Sequence, residues 1–296
     1  MAQELLRLHN AQVRRDGRII LDVDDFVIEE GERVVVLGPN GGGKSTLVKL
    51  LTREMMPLWR EEPPVLFRGN PRAELREIQR TVGVVSTSFA EALTANRKVL
   101  DVVLGGFFGT IGVPYHIQVT PQQVEQAHAS LRELRIDEFA DQMLGKLSTG
   151  QQRRALVARA LINAPAVLAF DEPCIGLDPE AQWNLRQSLS SLGQAGRTLL
   201  MVTHDVADIM PEFNRVVFLK DARIVADGPK EELLTTSNLR ELFGVPVTLV
   251  EDNGRYTLYS RASTPPKSRW PCWSTWCTPA RTRASSTEAQ TLEKPH

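Results

Sequence analysis

Nine consecutive residues, Gly38-Pro39-Asn40-Gly41-Gly42-Gly43-Lys44-Ser45-Thr46, carry the chemistry of phosphate binding. Glycine, four residues, then Gly-Lys-Ser is the phosphate-binding loop pattern. Gly41, Gly42 and Gly43 let a backbone curl around phosphate oxygens without Cβ clashes. Lys44 is long enough to reach the β- and γ-phosphates, and the Ser45 hydroxyl can ligate Mg²⁺. The apolar run Val34-Val35-Val36-Leu37 reads as a short buried strand before the loop. Lys44 onward reads as a helix with Leu47, Leu50 and Leu51 on one face. The loop therefore ends at a helix N-terminus, where unpaired N–H groups and the helix dipole favour an anion. The expected ligand is a nucleoside triphosphate, ATP, with Mg²⁺.

A second group lies far along the chain. The apolar strand Val167-Leu168-Ala169-Phe170 carries Asp171 and Glu172 out at its C-terminal end, where open α/β sheets bind ligands. Asp171 is placed to hold Mg²⁺, directly or through water. Glu172 is placed to orient or deprotonate an attacking water. An acidic pair alone commonly caps a loop; behind a phosphate loop it reads as hydrolytic machinery.

The segment Leu147-Ser148-Thr149-Gly150-Gln151-Gln152-Arg153-Arg154 resembles the signature sequence of the ATP-binding cassette (ABC) ATPases, usually Leu-Ser-Gly-Gly-Gln, with Thr149 in place of a glycine. The resemblance covers about residues 3–245. It implies that Ser148, Gly150 and Gln151 meet, in trans, the γ-phosphate held by a partner subunit. Ile175-Gly176-Leu177-Asp178 resembles the family's D-loop, which would make Asp178 a bridge between two active sites across a dimer. Val202-Thr203-His204-Asp205 resembles the switch-histidine segment, so that His204 would contact the γ-phosphate and link it to Glu172. Lys44, Glu172 and His204 are then the expected catalytic set. Two positions depart from the family pattern. Arg15 stands where an aromatic residue usually stacks on adenine, and a guanidinium plane can also stack on a base. Thr87 stands where a glutamine usually touches Mg²⁺ or the attacking water; a Thr hydroxyl reaches a metal-bound water over a shorter distance. The runs at 102–108 and 171–178 resemble a subgroup that includes molybdate-linked ATP-binding proteins.

The elements that must position these residues are legible as alternating strands and helices. Strand-like stretches run from Leu5 to Val13 and from Ile19 to Ile28, at 33–37, at 65–67, at 82–85, at 167–170, at 198–202 and at 216–219. Helices are expected after Lys44, over 100–107, from Pro121 to Leu134, over 151–161 and 179–193, and near 229–234. Alternation of this kind implies a parallel sheet covered on both faces. Asn253-Gly254 between alternating apolar residues predicts a hairpin over 247–259, expected as an added edge element.

Composition sets outer bounds. The 296 residues are 42% hydrophobic with a net charge of −1, which offers no global electrostatic footprint for nucleic acid. No apolar run reaches the length of a membrane span, and Met1-Ala2-Gln3-Glu4 does not open a signal peptide. Cys174, Cys272 and Cys277 make neither a disulfide framework nor a metal set. From about Ser263 the chain turns rich in Pro, Ser and Thr, with Trp270, Trp273 and Trp276 at every third position; residues 263–296 are expected to be a disordered tail.

The expected fold is α/β: a P-loop NTPase with a RecA-like parallel sheet core, an antiparallel β lobe and a helical subdomain, the ABC ATPase domain. It would span 3–245, with the helical subdomain at about 89–163 and a hairpin extension at 246–262. The family implies a head-to-tail homodimer, or a pair with a related ABC ATPase subunit, burying two ATP molecules. It also implies separate transmembrane permease subunits and a cytoplasmic protein, peripheral on the cytoplasmic face of the membrane when assembled. The expected function is the ATP-hydrolysing subunit of a membrane transporter. A soluble ABC ATPase working on a ribosome-linked or regulatory partner is the alternative. The signature and Glu172 argue against a phosphate-loop kinase.

Overall fold

The computed structural model describes residues 3–86 and 96–260. Thr87, the start of the expected helical subdomain at 89–95 and the tail at 263–296 lie outside the described residues.

The chain begins as a long antiparallel pair, β1 (Glu4–Arg15) and β2 (Arg18–Glu29). Leu6, Leu8, Ala11 and Val13 of β1 and Leu21, Val23, Phe26 and Ile28 of β2 are buried. Leu8 faces Phe26 and Val13 faces Leu21 across the ladder, the period-2 pattern of a sheet with one face on a core. The pair is joined at Asp16 (φ 48°) and Gly17 (φ 77°), both in the left-handed region that a two-residue hairpin turn requires.

β3 (Arg33–Leu37) leads into helix α1 (Lys44–Leu51). After β4 (Val65–Phe67) and α2 (Leu75–Thr81) comes β5 (Val82–Ser86). A helical lobe follows: α3 (Val99–Leu104), running on as a 3-10 turn to Phe108, then α4 (Pro121–Glu133) and α5 (Thr149–Leu161). Next are β6 (Val167–Asp171), α6 (Pro179–Gln194), β7 (Thr198–Thr203), β8 (Arg215–Lys220) and β9 (Arg223–Pro229). Two short helices, α7 (Lys230–Leu233) and α8 (Thr236–Phe243), precede the hairpin β10 (Val247–Asp252) and β11 (Arg255–Ser260).

Nine strands form one mixed sheet in the order β4-β1-β2-β9-β8-β3-β7-β6-β5. From β8 through β5 every pairing is parallel. Every residue of β6 and β7 is buried, as continuous apolar strands are when helices cover both faces. One face packs against α1 and the β lobe, with Leu47, Leu50, Val34, Val36 and Leu200 in one core. The other packs against α5, α6 and the helical lobe, with Val35, Phe170, Leu185, Leu189 and Met201 in a second core.

Three expectations are corrected. The helix expected over 100–107 is α only to Leu104 and then tightens, and α5 begins at Thr149, two residues early. Helices α2 and α8 were not read from the sequence. The hairpin at 247–259 is not an added edge of the main sheet; β10 and β11 form a two-stranded sheet of their own. Val247 and Tyr256 are buried in the second core, where β10 meets α8 and β11 meets the turn Val206–Asp208, with Leu249 and Leu258 packed against it, so the apolar face of the hairpin goes to packing rather than to strand pairing.

Candidate active site

β3, β7 and β6 lie side by side and in register: Leu37 pairs with Thr203, and Asp171 with Val202. The loops leaving their C-terminal ends therefore emerge together, although they come from three distant parts of the chain. This is the end of a parallel sheet where ligands bind.

The loop after β3 is tightly held. The Gly38 N–H donates to the Thr203 carbonyl at 3.3 Å, and the Gly42 N–H to the Pro39 carbonyl at 3.2 Å. A Cβ on Gly38 would stand 2.0 Å from the Leu219 carbonyl oxygen. Gly43 has φ 105°, and its Cβ would meet the Ile20 carbonyl at 2.9 Å. These two glycines are required because the backbones of β8 and β2 run directly behind the loop. Nothing in the loop sequence signals that closeness. Asn40 lies within the loop and Thr46 in the first turn of α1, which starts at Lys44 without a side-chain cap, leaving its first N–H groups for an incoming acceptor.

Lys44 is buried to 5% exposure. Its Nζ donates to the Gly38 and Pro39 carbonyls, each at 2.9 Å, and lies 3.5 Å from Glu172 Oε1. Burial lowers its pKa from the ordinary value, against the opposing charges of Glu172 and Asp171. A desolvated ammonium held by carbonyl oxygens and a carboxylate is poised for an anionic partner, and phosphate oxygens supply that.

Ser45 Oγ donates to Asp171 Oδ1 at 3.1 Å. Burial raises the Asp171 carboxyl above its ordinary pKa; the Ser45 hydrogen bond opposes this and the Glu172 charge adds to it. A hydroxyl and a buried carboxylate side by side suit a hard divalent cation. Among the described residues no group of three or more His, Cys, Asp or Glu could hold a metal alone. Mg²⁺ binds through one or two protein oxygens plus substrate phosphates and water, and Ser45 and Asp171 offer oxygens of that kind.

Glu172 has φ 52°, a left-handed backbone that turns the chain sharply after β6. Its N–H donates to the Val202 carbonyl at 2.8 Å. His204 Nδ1 is 2.6 Å from Glu172 Oε2, close but not aligned as a hydrogen bond. Lys44, Glu172 and His204 thus form one contiguous cluster, with Ser45 and Asp171 beside it.

The other expected residues lie elsewhere. Ser148 is the N-cap of α5: its Oγ accepts from the Gln151 N–H at 3.3 Å, while Gln151 Oε1 accepts from the Ser148 N–H at 2.9 Å, a reciprocal capping box. Gly150 is buried against α6, where a Cβ would meet Ala181 Cβ at 2.6 Å. Asp178 caps α6 by accepting from the Ala181 N–H at 2.8 Å. Arg15 ends β1 at the hairpin turn, with an exposed side chain 3.8 Å from the Asp16 carboxylate; its hairpin reaches the phosphate loop through Ile20.

A family model described as ABC transporter matches residues 21–175. The chain belongs to the ABC transporter family. It is 31% identical over 256 residues to an uncharacterized ABC transporter ATP-binding protein, YlmA, of Bacillus subtilis (strain 168), covering 85% of this chain and 95% of that one. It is 29% identical over 247 residues to the manganese transport system ATP-binding protein MntB of the same organism, covering 83% and 95%. A solved dimeric ATP-binding cassette in a post-hydrolysis state, bound to ADP and Pi, superposes with a TM-score of 0.62 at 26% identity, covering 76% and 98%. The fold is that of the ABC ATPase domain. The protein is an ATP-binding and ATP-hydrolysing subunit of a membrane transporter, and the alternative of a cassette serving a non-membrane partner is not favoured. Among the described residues no helix is long and apolar enough to cross a membrane.

Proposed function

We propose that the cluster at the ends of β3, β6 and β7 is one half of a composite ATPase site. Residues Gly38 to Thr46 cradle the phosphates, and Lys44 neutralises the β- and γ-phosphates. Ser45 and Asp171 would hold Mg²⁺, which would polarise the phosphate oxygens. Glu172 takes the proton of the attacking water, and His204 binds the γ-phosphate and steadies Glu172. Arg15 would stack on the base, and the Thr87 hydroxyl would serve the Mg²⁺ site in place of the family's glutamine. The observation that carries this reading is the convergence of Lys44 Nζ, Glu172 and His204 within 3.5 Å and 2.6 Å contacts, from residues 44, 172 and 204.

The second half comes from another cassette, either a copy of this chain or a related subunit. Its Ser148, Gly150 and Gln151 would close on the γ-phosphate, with Asp178 bridging the two sites. A helix N-terminus is a ready anion site, and α5 presents one on the helical lobe. ATP binding closes the pair and hydrolysis opens it, a two-state switch set by the γ-phosphate. The cassette spans about residues 3–245, the helical lobe about 89–163 within it, and the hairpin at 246–262 extends it. Separate permease subunits dock beside β5 and the helical lobe, which places the working protein on the cytoplasmic face of a membrane. The two runs at 102–108 and 171–178 are the support for a molybdate-linked subgroup; the B. subtilis relative MntB is named for manganese. Cargo choice belongs to the membrane and binding subunits.

Glu172→Gln tests the reading. It should slow hydrolysis by about 10²-fold or more, the scale of a lost general base, while ATP binding persists and ATP-bound dimers accumulate in size-exclusion chromatography. Hydrolysis at the wild-type rate would remove Glu172 from the role of base.

A further inference from the structure

Behind His204 lies a buried ionic network that touches both catalytic turns. Asp208, in the short turn Val206–Asp208, is 3% exposed. Its Oδ1 accepts from Arg186 Nε at 3.0 Å and from Arg186 Nη2 at 2.7 Å. Its Oδ2 accepts from Thr203 Oγ1 at 2.7 Å. Thr203 Oγ1 in turn accepts from the Asp205 N–H at 3.1 Å. His204 is the residue between Thr203 and Asp205, so its backbone is pinned on both sides. The Thr203 carbonyl also receives the Gly38 N–H of the phosphate loop.

The same network reaches the Glu172 turn. Cys174, two residues after Glu172, is buried. Burial, with the Asp208 carboxylate beside it, pushes its thiol well above the ordinary value. Cys174 therefore packs as a neutral group against the ion pair rather than acting as a nucleophile. Burial pulls the Arg186 pKa down, but the Asp208 hydrogen bonds and charge outweigh it and leave it raised. Arg186 sits on α6, two turns from the helix start at Asp178.

A buried ion pair costs desolvation energy, and a well-packed apolar pair of similar volume commonly serves stability as well or better. Here the pair does something an apolar pair cannot: it orients a hydroxyl that fixes the backbone on either side of His204. We infer that Arg186, Asp208 and Thr203 are positioning residues for ATP hydrolysis, acting through His204 to hold its ring against Glu172. This rests on the catalytic roles proposed above for His204 and Glu172. The network adds no new contact to ATP; it sets where the imidazole stands. Because α6 is capped by Asp178 and carries Arg186, one element links the Asp178 cap to the His204 turn.

Thr203→Val tests the inference with little change of shape, and Thr203→Ser restores the hydroxyl. Each is made in the wild-type chain and in His204→Ala, and single-turnover hydrolysis with Mg²⁺ is measured beside equilibrium ATP affinity and thermal unfolding. Thr203→Val should lower the hydrolysis rate about tenfold or more while ATP affinity stays within about threefold, the signature of an interaction that matters after binding. Thr203→Ser should return to within about threefold of wild type. In His204→Ala, adding Thr203→Val should lower the rate by less than about twofold, because residues acting as a unit are non-additive. Asp208→Asn carries the same expectations if Thr203→Val fails to fold. A wild-type rate for the folded variant, or an equal loss with and without His204, overturns the inference. A wild-type rate for His204→Ala itself would overturn the role of His204 and the network's purpose with it. A slow His204→Ala beside a normal Thr203→Val would sink the network alone.

Discussion

The phosphate-loop end of the sheet and the start of α5 are the two places proposed to meet phosphate, yet their polar groups are satisfied in opposite ways. At the sheet end, Lys44 and Asp171 are buried charged groups whose pKa values burial has shifted in opposite directions. Lys44 is held by the Gly38 and Pro39 carbonyls with Glu172 at 3.5 Å, and Asp171 accepts from Ser45. At the start of α5, Ser148 and Gln151 satisfy one another in a capping box. The first region holds electrostatic cost that a ligand can relieve; the second is at rest within its own helix. The contrast explains why one chain can bind a nucleotide yet presents its signature on a separate surface. The lobe end satisfies its own helix start, and on the proposed reading its phosphate contact would be added when a second cassette arrives.

Removing Lys44 should produce the largest effect. Lys44→Ala takes away the buried ammonium that faces the phosphates, and ATP affinity should fall by about 10²-fold or more, the scale of a lost buried charge contact. Unchanged affinity by equilibrium titration would show that the sheet end does not need its lysine and would erase the contrast.

The capping and phosphate functions of Ser148 can be separated. Ser148→Ala loses the cap, about 1 kcal/mol of stability, and hydrolysis as well. Ser148→Asp keeps a capping acceptor at the helix N-terminus but sets a carboxylate against phosphate. Its thermal midpoint should stay near wild type while hydrolysis drops about tenfold or more, since like charges in contact cost several kcal/mol. If Ser148→Asp hydrolyses ATP normally, the residue is a helix cap and nothing further.

The smallest change is in thermal stability, for Asp171→Asn. The folded pKa of Asp171 is raised, so the ionised form is destabilised at pH values above that pKa and the cost disappears as the group protonates. The neutral variant should therefore unfold at a slightly higher temperature than wild type near neutral pH. The gap should stay constant above the raised pKa and close as pH falls through it toward the ordinary carboxylate value, while Mg²⁺-dependent hydrolysis is lost. A variant less stable than wild type at neutral pH would show that Asp171 carries no stored cost.

Much of this was legible in the sequence because the decisive residues sit at element boundaries. Strand 33–37 and the helix from Lys44 lie where the apolar runs place them, since a buried parallel strand is a continuous apolar run. α2 was missed because Arg76, Glu77 and Arg80 crowd its seven residues, Leu75 is exposed, and Ile78 is its one buried apolar side chain. α8 has only Leu239 and Leu242 buried over eight residues, too short a stretch for periodicity to speak. The hairpin was found, but its packing on the core could not be read from alternation, which does not say what a face will cover. The ion pair of Arg186 and Asp208 joins residues 22 apart and left no pattern at all. Lys44, Glu172 and His204 meet only through the strand order β3-β7-β6, a fact of topology that spacing does not contain.

Complementation between two broken chains tests the central claim most directly. Lys44→Ala and Ser148→Arg are each inactive if every site needs the phosphate loop of one chain and the signature of another. Mixed in equal amounts, they can assemble one intact site, from the loop of the Ser148→Arg chain and the signature of the Lys44→Ala chain. The account expects ATP hydrolysis to reappear in the mixture and to rise more steeply than linearly with protein concentration. Wild-type hydrolysis by Ser148→Arg alone would contradict it, because the site would then be complete within a single chain.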